Sequence, residues 1–95
     1  MINIEQYKLP GDVLKEVALR AVKRRKEYGL TQVELATKSG VSLGSIKRFE
    51  RTYQISFASL VNIAFALNCE DDFSALFSQK HYQSIEDVIA ESKKR

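Results

Sequence analysis

The chain has 95 residues, a net charge of +3, 44% apolar and 28% charged residues, and a single cysteine. That is one globular domain, large enough to bury a core without staples. The lone Cys69 excludes an internal disulfide and a thiolate metal cluster and fits a reducing, cytoplasmic setting. The first ten residues, MINIEQYKLP, lack the basic start and apolar run of a secretion signal, and no apolar run reaches membrane-spanning length.

Charge is distributed unevenly. Residues 1–55 hold 11 Lys/Arg against 6 Asp/Glu; residues 56–95 hold 4 against 6. A basic half attracts a phosphate backbone, although a solvated basic face has the same composition.

In chain order, residues 1–11 form an extended lead-in punctuated by Pro10-Gly11, with Asp12 as a helix cap. A first helix is expected from about Val13 to Tyr28. Val13, Leu14, Val17, Ala18, Ala21 and Val22 form its inner stripe. Lys23, Arg24, Arg25 and Lys26 crowd its C-terminal turns, where cations suit the helix dipole. Gly29 stops it.

A second helix is expected from about Thr31 to Lys38, opened by the Thr31/Glu34 capping-box spacing and closed at Gly40. A third runs from about Ser42 to Arg51, capped by the Ser42 hydroxyl. Val33, Leu35, Ala36, Val41, Ile46 and Phe49 supply the apolar side of the pair. Leu43, Gly44, Lys47, Arg48 and Arg51 are left facing outward. A short helix with small and basic residues outside suits a DNA major groove.

After the connector Thr52-Tyr53-Gln54-Ile55, Ser56 caps a fourth helix in which Leu60, Ile63, Ala64 and Leu67 face the core. Asn68-Cys69 breaks it. A short fifth helix is expected from about Asp71 to Phe77, with acids at its start. Residues 12–78 thus make one domain. Residues 79–95 form a loop and a short C-terminal helix, in which Ser84 and Asp87 suggest a weak capping box. Ile85, Val88 and Ile89 give that helix an apolar stripe that needs a surface to pack on. The fold class expected is all-α, five helices with a short C-terminal addition.

The pattern T-Q-x-E-L-A-x-x-x-G-V-S-x-x-x-I-x-x-x-E over residues 31–50 resembles the phage repressor/Cro-type helix-turn-helix family, the XRE family. The match extends from roughly Val13 to Leu67. The resemblance implies a regulator of transcription, a repressor, that binds double-stranded DNA; a dimer is expected separately, because one such motif reads only a few base pairs. It places Leu43, Gly44, Ser45, Lys47 and Arg48 at positions that commonly meet base edges or adjacent phosphates. Arg and Lys donate to guanine O6 and N7, Ser bonds several bases, and Leu43 is suited to a thymine methyl. Lys47 and Arg48 serve equally well as plain phosphate neutralisers, and Leu43 as a contact for a protein partner. Thr31, Gln32, Ser42, Arg51 and Tyr53, with Lys38 at the rim, are the phosphate candidates. In the family, the Gln at position 32 also braces the following helix. An Arg near the end of the first helix, here Arg25, faces a Glu ending the third, here Glu50, which predicts a partly buried ion pair.

The chain departs from the family pattern at three places. Leu43 stands where a polar residue is common and Gly44 where a larger one is. The connector also lacks the Gly or Asn near Thr52, and the Pro that often follows.

A narrower resemblance covers Ser42-Leu43-Gly44-Ser45-Ile46-Lys47-Arg48-Phe49-Glu50 and Asp71-Asp72-Phe73-Ser74-Ala75-Leu76-Phe77. Small helix-turn-helix proteins encoded beside HipA-like kinase toxins carry similar strings. It implies an antitoxin that binds such a toxin and represses its own operon.

Phe73, Leu76, Phe77, Ile85, Val88 and Ile89 offer more apolar surface than a four-helix core needs, so they are the candidates for a homodimer contact. The alternative is that they complete the monomer core. A protein-interaction adaptor without DNA readout remains the rival from another class, and RNA binding lacks an aromatic platform. No enzyme is expected. His81 and Cys69 form no dyad by spacing, Glu70-Asp71-Asp72 is not completed into a metal site, and no Gly-rich phosphate loop or cofactor motif occurs.

Overall fold

The computed structural model describes residues 8–81 and 85–93, apart from the side chains of residues 87 and 93. Helices α1 (Pro10–Glu27), α2 (Gln32–Ser39), α3 (Leu43–Thr52) and α4 (Phe57–Ala66) are followed by a 3₁₀ helix (Glu70–Ala75) and by α5 (Ile85–Lys93). All the regular elements among the described residues are helical.

Local chemistry sets each boundary. Pro10 occupies the first turn of α1, where its missing N–H costs nothing and its fixed φ fits. Helix α1 therefore starts at Pro10 rather than Val13. Asp12 is not the cap but lies inside the first turn, where its carboxylate accepts the Leu9 N–H at 3.0 Å. Gly29, at φ 68°, turns the chain away from α1.

Thr31 caps α2. Its hydroxyl accepts the Glu34 N–H at 3.1 Å, and the Glu34 carboxylate accepts the Thr31 N–H at 3.0 Å. Gly40 ends α2 in the left-handed region, φ 74°, which glycine enters without a Cβ penalty. Ser42 and Ser56 cap α3 and α4 by accepting the N–H groups of Ser45 and Ser59, each at 3.1 Å.

Helix α2 packs on both α3 and α4, α1 crosses α3, and the 3₁₀ helix rests on α4. Ala18, Leu35, Val41, Ile46, Phe49, Ile63, Ala66 and Leu67 form the shared core, with Leu60, Ile55, Tyr53 and Cys69 packed against it. Cys69 is half-buried.

Three further expectations are corrected. Val33 is 57% exposed, because α2 turns that side to solvent while Leu35 enters the core. Only the second half of the α1 stripe is used. Ala18 is fully buried and Ala21 touches the core, whereas Val13, Leu14 and Val17 stay about one-third to one-half exposed. An 18-residue helix is about 27 Å long and outruns the body it packs on. The fifth element is a 3₁₀ helix over Glu70–Ala75 and not an α-helix over residues 71–77. It stops because Leu76 is extended and Phe77 is left-handed, φ 57°. The Ser84 cap of the last helix lies outside the described residues.

Among the described residues, no helix is long and apolar enough to cross a membrane, and no group of His, Cys, Asp and Glu is arranged to hold a metal ion.

Candidate nucleic-acid interface

Helix α3 has one face in the core and the opposite face in solvent. Ile46 and Phe49 are buried below it and Leu43 is half-buried beside them. On the opposite side Gly44, Lys47, Arg48 and Arg51 are exposed. Their i, i+3, i+4, i+7 spacing puts them on one stripe. Glu50 is the single acid in α3, and its charge faces away from that stripe, into the protein.

The Glu50 carboxylate gathers three donors from two other elements. Arg25 of α1 donates from Nε to Oε2 at 2.8 Å and from Nη2 to Oε1 at 3.0 Å. Gln32, at the start of α2, donates from Nε2 to Oε1 at 3.0 Å. The third arm of the guanidinium, Nη1, donates to the Leu30 carbonyl at 2.8 Å. The Arg25 and Glu50 side chains are only 11% and 13% exposed. In that setting a bidentate pair is directional as well as strong. It ties α1, the turn before α2, and the C-terminal half of α3 into one rigid unit, and so sets the angle at which α3 stands out.

The remaining site candidates are arranged less uniformly. Gln32 is half-buried and turned towards Glu50, so its amide spends one donor inside the protein. Thr31 and Ser42 are exposed, but each hydroxyl is engaged as a helix cap. The Ser42 hydroxyl also donates to that of Ser45 at 2.8 Å, which holds the half-buried Ser45 against the start of α3. Tyr53 is half-buried against the core. Lys38 lies at the other end of α2, 5.8 Å above the Tyr28 ring.

Tyr53 also closes α3. It takes the left-handed conformation, φ 67°, and its N–H bonds the Phe49 carbonyl at 2.8 Å. The Gly or Asn expected near Thr52 from the resemblance is absent, and burial of the Tyr53 ring on the core compensates part of the backbone cost. The reversal brings Gln54 back along α3, where its Oε1 accepts from Arg48 Nη2 at 3.1 Å. Sequence reasoning missed Gln54. A glutamine just after a helix carries no signal of its own until the chain path at Tyr53 is known.

The candidates for self-association are exposed to different degrees. Phe73 is half-buried and meets Phe57 edge-on at 5.6 Å between ring centroids. Leu76 is 51% exposed and Phe77 fully exposed, while Ile85, Val88 and Ile89 of α5 are 78%, 42% and 47% exposed. Lys80 forms an ion pair with Glu91 of α5.

A protein-family profile described as Helix-turn-helix matches residues 23–73, just over half of the chain and the whole of α2, α3 and α4. No curated protein and no solved structure matches the chain closely enough to inform its function.

Proposed function

The chain belongs to the XRE-type helix-turn-helix family of DNA-binding regulators, and on that premise we propose that it is a homodimeric, sequence-specific repressor that lays α3 in the major groove of double-stranded DNA. The observation that carries this reading is the outer stripe of α3. Lys47, Arg48 and Arg51 are exposed together with Gly44, whose lack of a side chain permits close approach. The acid of the same helix is consumed by Arg25 and Gln32, so no carboxylate on α3 opposes a phosphate.

In this reading Lys47 and Arg48 supply donors to base edges. Leu43, Gly44 and Ser45 line the helix end nearest the groove floor. Thr31, Gln32, Ser42, Arg51 and Tyr53 border it as phosphate contacts, Gln32 and the two caps through the N-terminal ends of α2 and α3. One such helix reads few base pairs, and two-fold pairing doubles the contacts and spaces two half-sites by a helical turn. The apolar surface at Leu76, Phe77, Ile85, Val88 and Ile89 supplies a contact for the second copy, in line with the enrichment of large apolar patches at interfaces. Repression of its own gene follows if the operator lies in its promoter.

Gel shift with the DNA upstream of its own gene, in the presence of unrelated competitor, tests the proposal. A retarded band that resists competitor and weakens steeply with salt supports it. Binding that competitor abolishes at equal mass overturns sequence-specific readout.

A second reading, antitoxin to a HipA-like kinase toxin, is favoured by the joint resemblance over residues 42–50 and 71–77. It shares the DNA-binding helix and adds a protein partner for the exposed C-terminal surface. Co-purification with the product of the neighbouring gene separates it from a free-standing repressor.

A further inference from the structure

The contact between Arg48 and Gln54 couples a guanidinium, which only donates, to an amide of the connector. A free glutamine amide both donates and accepts, so it pairs with adenine as readily as with other acceptors. Here one lone pair of its oxygen is taken: Gln54 Oε1 accepts from Arg48 Nη2 at 3.1 Å. The Gln54 NH₂ and the other N–H groups of Arg48 remain as donors. Both residues are exposed. The pair is held in register by the backbone. Tyr53 turns the chain back at φ 67°, and Thr52 Oγ1 donates to the Arg48 carbonyl at 2.8 Å, which secures the last turn of α3 below the guanidinium.

We propose that Arg48 and Gln54 form one reading unit, in which Gln54 is a positioning residue that fixes the guanidinium plane so that Arg48 donates to a base edge with two adjacent acceptors. In the major groove guanine presents two adjacent acceptors, O6 and N7, whereas adenine and cytosine each present an amino donor. The unit therefore selects guanine and excludes adenine at its position. Gln54 extends the readout beyond α3 into the connector. The inference rests on major-groove docking of α3 as proposed above.

Selection of binding sites from a randomised double-stranded DNA pool tests it, using the full chain and the variants Arg48→Ala, Gln54→Ala and Gln54→Glu. Since both side chains are exposed, circular dichroism should show the variants as folded as the parent. The parent should enrich a guanine that Arg48→Ala no longer requires. Gln54→Ala should weaken the preference for that guanine over adenine about 5-fold or more, the lower end of what a bidentate base contact contributes. Gln54→Glu keeps an acceptor for Arg48 and should retain the guanine preference, while binding every sequence more weakly because a carboxylate now faces the phosphates.

A Gln54→Ala variant with the parent's guanine preference overturns the proposal, as does a parent that enriches adenine at the position sensitive to Arg48. A parent that enriches no sequence at all overturns the DNA-reading function itself, and is thereby distinct from failure of the pair alone.

Discussion

Arg25 and Glu50 lie 25 positions apart in the chain, and meet through two hydrogen bonds at 2.8 and 3.0 Å in a setting where both side chains are almost nine-tenths covered. The pair joins the end of α1 to the end of α3. Gln32 completes it from α2 at 3.0 Å, so three helices converge on one carboxylate.

Removing that carboxylate leaves a guanidinium with its burial cost and only the Leu30 carbonyl as partner. Glu50→Ala should destabilise the fold by about 3 kcal/mol, the lower end for breaking a buried pair. For a domain of this size that lowers the melting temperature by roughly 12–24 °C. Thermal unfolding followed by circular dichroism measures it, and an unchanged midpoint would show that the pair does not hold the helices together.

Under the proposed docking, Lys47 and Gln32 should fail in different ways. Lys47→Ala should leave the melting temperature within about 0.5 kcal/mol of the parent, as exposed substitutions do. Its specific site should lose about 1–3 kcal/mol against competitor. Gln32→Ala removes a brace on Glu50 as well as a candidate phosphate contact, so it should weaken binding to all sequences by a similar factor. Titrations at several salt concentrations separate the two. Equal losses on specific and competitor DNA for Lys47→Ala would remove it from base readout.

The α2 cap should be sensitive to acid. The Thr31 N–H, and then the Thr31 hydroxyl, hold the Glu34 carboxyl below its ordinary value of 4.5. A carboxyl whose pKa is lower in the folded than in the unfolded state stabilises the fold above the unfolded value. That contribution fades as the pH falls from about 4.5 through the folded value. Melting temperatures measured from neutral pH downward should fall less steeply below pH 4.5 in Glu34→Gln than in the parent. Parallel curves would mean that the capping box contributes no pH dependence.

Self-association should depend on the surface beyond α4. Phe77 is fully exposed, so Phe77→Ser removes nothing from the monomer core. Sedimentation equilibrium should show the parent as a dimer and the variant shifted towards monomer, with helix content unchanged. A variant that dimerises as the parent does would remove Phe77 from the interface.

Legibility followed the range of the interaction. The caps of α2, α3 and α4 are each closed within three residues, Thr31 to Glu34, Ser42 to Ser45 and Ser56 to Ser59. The stops at Gly29 and Gly40 depend on one backbone angle each. All of these could be read from neighbouring letters. Periodicity likewise marked Ile46 and Phe49 as inward and Lys47 and Arg48 as outward on α3. The same rule failed for Val13, Leu14 and Val17. An apolar stripe states that a face seeks cover, and it cannot say how far along the helix the neighbour reaches. It failed again at the fifth element, where acids and apolar spacing suited an α-helix but the chain made a short 3₁₀ helix.

The candidate site divides in the same way. Sequence alone determined that a capped, basic helix follows a tight turn, because propensity, capping and amphipathic spacing act over a few residues. Only the tertiary structure decided that the bracing partner of Gln32 is the Glu50 carboxylate, and that a left-handed Tyr53 returns Gln54 to Arg48. Those contacts depend on the angles between helices and on the path of a connector. Packing of the whole core sets both, and no short window of residues contains that information.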